Sequence, residues 1–380
     1  MIMDSHKAIK KDKMFRYLLL LVIAATVGLQ GWRTLFNNFA VDKISLNGFQ
    51  VGVIQSVRET PGFLVFLVVY LLLIVKEHKL SAISTIVVGI GVILTGIFPS
   101  YLGLIMTTLI MSTGYHYFET TNKSLTLQYF STKDSPYVFA KQKSWTSISN
   151  IAVGVTIMGL SFMKNIEVLY AILGIFVISL GVYALFLKPA NLNLTKQNPG
   201  TVIRKKYWLY YVINFLSGAR RQIFVVFAVF MLVEQYKFTI TQISLLFVFN
   251  NIVTYFVAPI VAKGINKFGE RKILSLEYFN MIFIFLGYAY IKDGTIIAIL
   301  YILDNVLYSC AIAINTFFHK QCNKKDIAPS MAVGFAINHI SAIIVPVIGG
   351  FLWMLNPSIP FVIASVLSLL SFIFVQKIKS

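Results

Sequence analysis

Residues 188–206 read KPANLNLTKQNPGTVIRKK, and about six long apolar stretches lie on either side of this polar, basic passage. Asn, Pro and Gly mark it as a loop rather than a helix. Its end, Arg204-Lys205-Lys206, carries the charge typical of a segment that stays in the cytoplasm. A chain of 380 residues divided near its midpoint in this way is expected to be a membrane helix bundle built twice over. Duplicated bundles are a common route to a two-sided gate, so solute transport is the first function to consider.

Composition agrees. The chain is 57% hydrophobic and only 12% charged, against roughly a quarter charged in soluble domains. The formal charge of +19 is not a nucleic-acid signature, because the basic residues gather in short segments between apolar runs. Cys310 and Cys322 form no disulfide framework and lack metal-ligand spacing. The Lys-rich start runs into apolar sequence from Phe15 that continues past Gln30 and Arg33 without a small-residue cleavage site. This predicts a retained first helix, not a signal peptide.

A helix needs about 20 residues to cross the roughly 30 Å hydrocarbon layer. Twelve spans are expected: 15–40, 48–75, 80–98, 101–127, 137–162, 167–187, 206–235, 241–262, 272–291, 295–320, 328–354 and 358–376. No segment alternates like a strand, and an open sheet has no partner for its edges in lipid. The domains expected are an N-terminal six-helix lobe over 1–187, a cytoplasmic linker over 188–205 and a C-terminal six-helix lobe over 206–380. Most of the 33 Lys and Arg residues fall in the N-terminal arm, the tail and alternate loops. The opposite loops hold Lys43, Lys164, Lys237 and Lys292, so both termini are expected on the cytoplasmic side of the inner membrane. A shift of 192 residues sets Asp42, Gln50 and Val51 on Glu234, Gln242 and Ile243. One residue more sets Asn122, Gln128 and Pro136 on Asn315, Gln321 and Pro329, the trace of a parallel repeat.

After span 8 the chain reads Ala262-Lys263-Gly264-Ile265-Asn266-Lys267-Phe268-Gly269-Glu270-Arg271-Lys272. This resembles the loop signature of the major facilitator superfamily at Lys267, Gly269, Arg271 and Lys272, with Ala262 and Asn266 where that family usually has Gly and Asp. The corresponding loop of the first half, Lys76-Glu77-His78-Lys79, lacks the Gly. In span 11, Val345-Pro346-Val347-Ile348-Gly349-Gly350 is similar to part of an antiporter motif that the family carries in span 5, so the antiporter label is not transferred. The resemblance implies two six-helix lobes around a cavity lined by spans 1, 4, 7 and 10, working by alternating access as a symporter or antiporter. It names no substrate.

Polar residues at helical spacing stripe those same four spans: Thr26, Gln30, Arg33 and Asn37; Tyr115, Glu119 and Asn122; Asn214, Ser217 and Arg221, flanked by Arg220 and Gln222; Asp304, Tyr308, Asn315 and His319. Spans 3, 6 and 12 hold no charge in their apolar stretches, and span 9 only Glu277, toward its cytoplasmic end. Counted at 1.5 Å per residue, Arg58, Arg221, Asp304 and His339 lie roughly 12–20 Å into the layer. More Arg than carboxylate at that depth suggests an anionic solute, since a guanidinium presents a planar fork of donors. Gln30, Arg33, Asn37, Arg58, Tyr115, Asn214, Arg221, Tyr308, Asn315 and His339 are the candidate solute contacts. Glu119 and Asp304, then Glu59 and His339, are candidate proton carriers, because the proton affinity of a carboxylate or an imidazole follows its surroundings. Each has a plainer reading: Arg58–Glu59 as a structural pair, Glu119 and Asp304 in gating salt bridges, His116 and His339 as hydrogen-bonded bundle residues, Lys141 and Lys143 snorkelling, Asn250-Asn251 as glue between helices.

The expected function is secondary transport of a small organic solute, anionic and proton-coupled. Multidrug-type efflux of lipophilic cations is the alternative, followed by a receptor or lipid flippase on the same scaffold. No Walker loop, His-Glu-x-x-His or Gly-x-Ser-x-Gly occurs, so neither a pump nor an enzyme is expected. Lipid, solute and proton are the expected partners of a monomer, with no nucleic acid, cofactor or metal.

Overall fold

A computed structural model describes residues 9–130, 134–163, 165–187, 189, 204–321 and 327–378. Most of the expected 188–205 linker therefore lies outside the described residues. After a short helical turn at 9–11, those described are helical in twelve longer tracts, at 13–43, 48–71, 77–97, 101–129, 135–163, 166–186, 205–234, 240–268, 270–290, 294–321, 327–355 and 358–375, and contain no strand. They are numbered spans 1 to 12. Nine contain a stretch long and apolar enough to cross a membrane. A helix closes its backbone hydrogen bonds within itself, which lipid demands.

Polar residues at the span ends start the helices. The Asp12 carboxylate accepts from the Met14 and Phe15 amides at 2.7 and 3.2 Å, Ser100 and Asn165 cap spans 4 and 6, and Thr239 with Gln242 closes a capping box on span 8. Gly269 alone joins spans 8 and 9. Its φ of 81° is the left-handed conformation that glycine adopts without strain.

Span 2 departs from expectation. Its α-helix ends at Phe63, two residues past Pro61, and the chain continues through a 3₁₀ turn at Val65–Leu67 and a short helix at Val68–Leu71. Proline lacks the N–H that the preceding turn needs. Spans 7 and 10 are also irregular, with a π-helical segment at Phe224–Ala228 and a 3₁₀ turn at Ser309–Ala311.

The chain divides into two compact units, Met1–Ile44 with Thr60–Gln197, and Ser45–Glu59 with Asn198–Ser380. The first half of the sequence thus contributes residues 45–59 to the second unit. In the first unit, Phe15, Leu18 and Leu21 of span 1 form a core with Phe118, Leu125, Val138 and Ala184. Spans 3 and 6 meet backbone to backbone, since a Cβ on Gly174 would lie 2.7 Å from the Gly89 carbonyl oxygen. Small residues permit such approaches in membranes. In the second unit, Tyr210 and Ile213 of span 7 pack with Leu274, Tyr278, Phe317, Phe318 and Val375. Residues 48–59 lie against span 11: a Cβ on Gly52 would run into the Pro346 carbonyl, and the Ser56 hydroxyl donates to the Ile343 carbonyl. Large apolar side chains such as Ile74, Phe162 and Phe186 point outward, as a lipid-facing surface requires.

Candidate functional site

Adjacent helix residues project about 100° apart, so the consecutive arginines of span 7 meet different neighbours. Arg220 turns to span 9. It is 1% exposed, and its Nη2 donates to Glu277 Oε1 at 2.6 Å, with Glu277 fully buried. The Arg220 guanidinium also lies 4.6 Å above the Tyr278 ring. Arg220 Nη1 and Glu277 Oε2 are buried without a hydrogen-bond partner. A charge at this depth is tolerated only with a counter-charge, and removing one member leaves the other unpaired at a cost of about 3–5 kcal/mol.

Arg221 turns to span 10. Its Nη1 stands 3.6 Å from Asp304 Oδ1, an open pair rather than a hydrogen bond, while its Nη2 donates to Asn305 Oδ1 at 2.9 Å. The rings of Tyr308 and Phe224 lie 4.1 and 4.6 Å from the guanidinium carbon, both within cation–π reach. Phe224 stacks in turn on Tyr301 at 4.8 Å. Arg221 is 21% exposed along its side chain and Asp304 2%, and Asp304 Oδ2 has no hydrogen-bond partner. Asn214, two turns before Arg221, is half-buried and spends its Nδ2 on the Tyr210 carbonyl.

Both backbone irregularities adjoin this cluster. The π segment begins at Phe224, and the 3₁₀ turn follows Tyr308 directly. Neither contains Pro or Gly. Interruptions without a breaker residue recur at functional sites and hinges.

The remaining candidates fall elsewhere. Asn315 is exposed and does not join Asp304 and Tyr308, because the 3₁₀ turn advances the helix by roughly 60° over three residues and ends the stripe. The side chain of His319 lies outside the described residues. In the second unit Arg58 binds Glu59 Oε1 through Nη2 at 2.6 Å and Nε at 3.2 Å, and Glu59 Oε2 lies 3.5 Å from His339 Nδ1, tying span 2 to span 11. In the first unit Gln30 donates to Thr34 within its own helix, Arg33 is half-buried, and Asn37 is buried with an unpartnered Oδ1. Tyr115 packs edge-on to His116. Glu119 pairs with Lys123 one turn on at 2.8 Å and has His116 at 3.9 Å. Beside Gly269, Lys267 lies over the Phe268 ring, Arg271 is half-buried and Lys272 exposed.

The excess of Arg over carboxylate does not hold. Arg58, Arg220 and Arg221 each face a carboxylate, Glu59, Glu277 and Asp304. The sequence reading missed Arg220–Glu277 and Asn305. A signal existed, since Glu277 lies seven residues into its helix, roughly 10 Å deep, where a carboxylate needs a partner.

The model of the Major Facilitator Superfamily matches residues 18–327. No curated protein sequence matches the chain significantly. Among solved structures, the nucleoside transporter NupG aligns with a TM-score of 0.76 at 16% identity, covering 96% of this chain and 99% of that one. A mutant of the same transporter aligns at 0.79 and 15%, over 96% and 100%. A bacterial homologue of the human lysosomal transporter Spinster, in an inward-facing and occupied conformation, aligns at 0.73 and 10%, over 96% and 95%. Identities this low speak to the fold alone.

Proposed function

The chain belongs to the major facilitator superfamily, and on that premise we propose that it carries a small organic anion together with a proton, exposing one site alternately to the two faces of the cytoplasmic membrane. The observation that carries this reading is the open Arg221–Asp304 pair. A closed, fully buried pair has no reason to exchange partners. Here the Arg221 side chain is partly exposed, its guanidinium stands 3.6 Å from the carboxylate, and its Nη1, though buried, makes no hydrogen bond.

With both groups ionised the pair sums to zero. A proton on Asp304 leaves a net positive charge at Arg221, which an anion then cancels. Each ligand favours binding of the other, which is what coupling requires. Asn305 and the two rings orient the guanidinium, and Tyr308 lies against it as a further contact, with Asn214 two turns earlier on span 7 as a candidate for the solute. In this reading Arg58, Glu59 and His339 hold residues 48–59 to span 11, and Glu119 belongs to a half-exposed surface pair with Lys123.

The test is uptake of labelled organic anions into proteoliposomes under an inward-directed pH gradient. Wild type accumulates the substrate. Asp304→Asn loses the response to the gradient, and Arg221→Ala loses uptake while still melting cooperatively. Gradient-driven accumulation by Asp304→Asn, or transport of lipophilic cations alone, would reject the reading.

A further inference from the structure

Resting on the coupling role of Asp304, we propose that Glu277 and Arg220 are positioning residues: Glu277 holds the Arg220 guanidinium away from Asp304, and so sets the pH at which transport takes up its proton. Glu277 sits on span 9, outside the four striped spans, yet no carboxylate among the described residues of the second unit is more deeply buried. Its Oε1 binds Arg220 Nη2 at 2.6 Å, so the guanidinium is anchored at one end. The other end, Nη1, makes no hydrogen bond, and neither does Asp304 Oδ2. Two buried, complementary and unsatisfied atoms thus belong to side chains within each other's electrostatic reach. An unsatisfied buried polar atom is costly, and the bond to Glu277 commits the guanidinium to span 9 rather than to Asp304.

The groups around Asp304 are few. Span 7 supplies Arg220 and Arg221, span 9 supplies Glu277 and Tyr288, and Tyr301 and Tyr308 lie on span 10 itself. Span 8, the other helix packed on span 10, contributes the Phe247 ring against Tyr301. Among the described residues, only the Arg220–Glu277 pair adds ionised charge beyond Arg221. Intact, that pair is neutral. Breaking it from either side changes the charge beside Asp304, with opposite signs.

Glu277→Gln removes a negative charge and frees Arg220 to turn toward Asp304. Both effects favour the carboxylate, so the pH of half-maximal uptake falls by about one unit, a tenfold change in proton concentration. Arg220→Gln removes the positive charge and moves the half-point to higher pH. The double variant restores a neutral pair and returns to within about half a unit of wild type, as a double-mutant cycle requires. These profiles are read in proteoliposomes beside Asp304→Asn. A flat profile for Asp304→Asn with unmoved half-points for Glu277→Gln and Arg220→Gln overturns the positioning role and leaves the coupling reading standing. A wild-type profile for Asp304→Asn ends the coupling reading itself. If Glu277→Gln does not fold, the direction of the Arg220→Gln shift decides.

Discussion

Arg221 is held by contacts of different kinds: one hydrogen bond to Asn305, one open ion pair, and two aromatic rings. Lysine would keep the charge but lose the planar fork and most of the ring contact. Arg221→Lys is therefore expected to raise KM roughly ten- to a hundredfold, the equivalent of one charge-assisted hydrogen bond, while the pH profile of uptake keeps its half-point. Initial-rate uptake across substrate concentration and pH checks both, and an unchanged KM would remove the guanidinium from the solute site. At this scale the sequence was partly legible. Arg221, Asp304 and Tyr308 fell on polar stripes, and they do meet. Which of two consecutive arginines faces which helix depends on rotation, and that is set by packing against spans 9 and 10. Asn305 escaped notice because it lies beside the Asp304 stripe rather than on it. Glu59 could be paired with Arg58 by adjacency, whereas His339, distant in sequence, could not be matched to it.

The helices themselves were legible because apolar length is a long-range signal: each expected span corresponds to a helical tract, with edges moved by a few residues. Their interruptions were not: span 2 was expected unbroken over 48–75, yet its helix ends just past Pro61, while Pro346 sits within a continuous span 11. The π segment at Phe224–Ala228 and the 3₁₀ turn at Ser309–Ala311 have ordinary helix-compatible sequences, so their cause lies in tertiary packing around Arg221 and Tyr308. Close helix approach is open to a direct test. A methyl on Gly174 would meet the backbone of span 3, which cannot swing aside, whereas one on Gly159 would meet nothing within 4 Å. Gly174→Ala should cost about 1–3 kcal/mol through overpacking. Gly159→Ala should be neutral or stabilise by up to about 1 kcal/mol through helix propensity. Thermal unfolding of the purified variants separates the two. Equal melting temperatures for Gly174→Ala and wild type would contradict the contact between spans 3 and 6.

For the whole molecule, the charge of +19 has to be reconciled with a membrane interior in which Arg58, Arg220 and Arg221 each face a carboxylate. The surplus resides in short loops and at the chain ends, where it bears on orientation rather than on the solute. Loop counts yield an expected orientation; the charge balance at the site was not legible, because the partner of each arginine is set by the fold. That balance makes a prediction about energetics. The empty site, Arg221 with ionised Asp304, is neutral, and so is the site loaded with one proton and one monovalent anion. Neither form carries net charge through the field, and a charge crossing the full potential would gain about 2.3 kcal/mol per 100 mV. Uptake of a monovalent anion should then follow the pH gradient and ignore an imposed potassium-diffusion potential, while a divalent anion should be held back by an inside-negative one. Proteoliposomes with valinomycin, at equal and unequal pH, measure both. Accumulation of a monovalent anion driven by potential at equal pH would mean that a second charge moves with the cycle, and the buried Arg220–Glu277 pair would be the place to look for it.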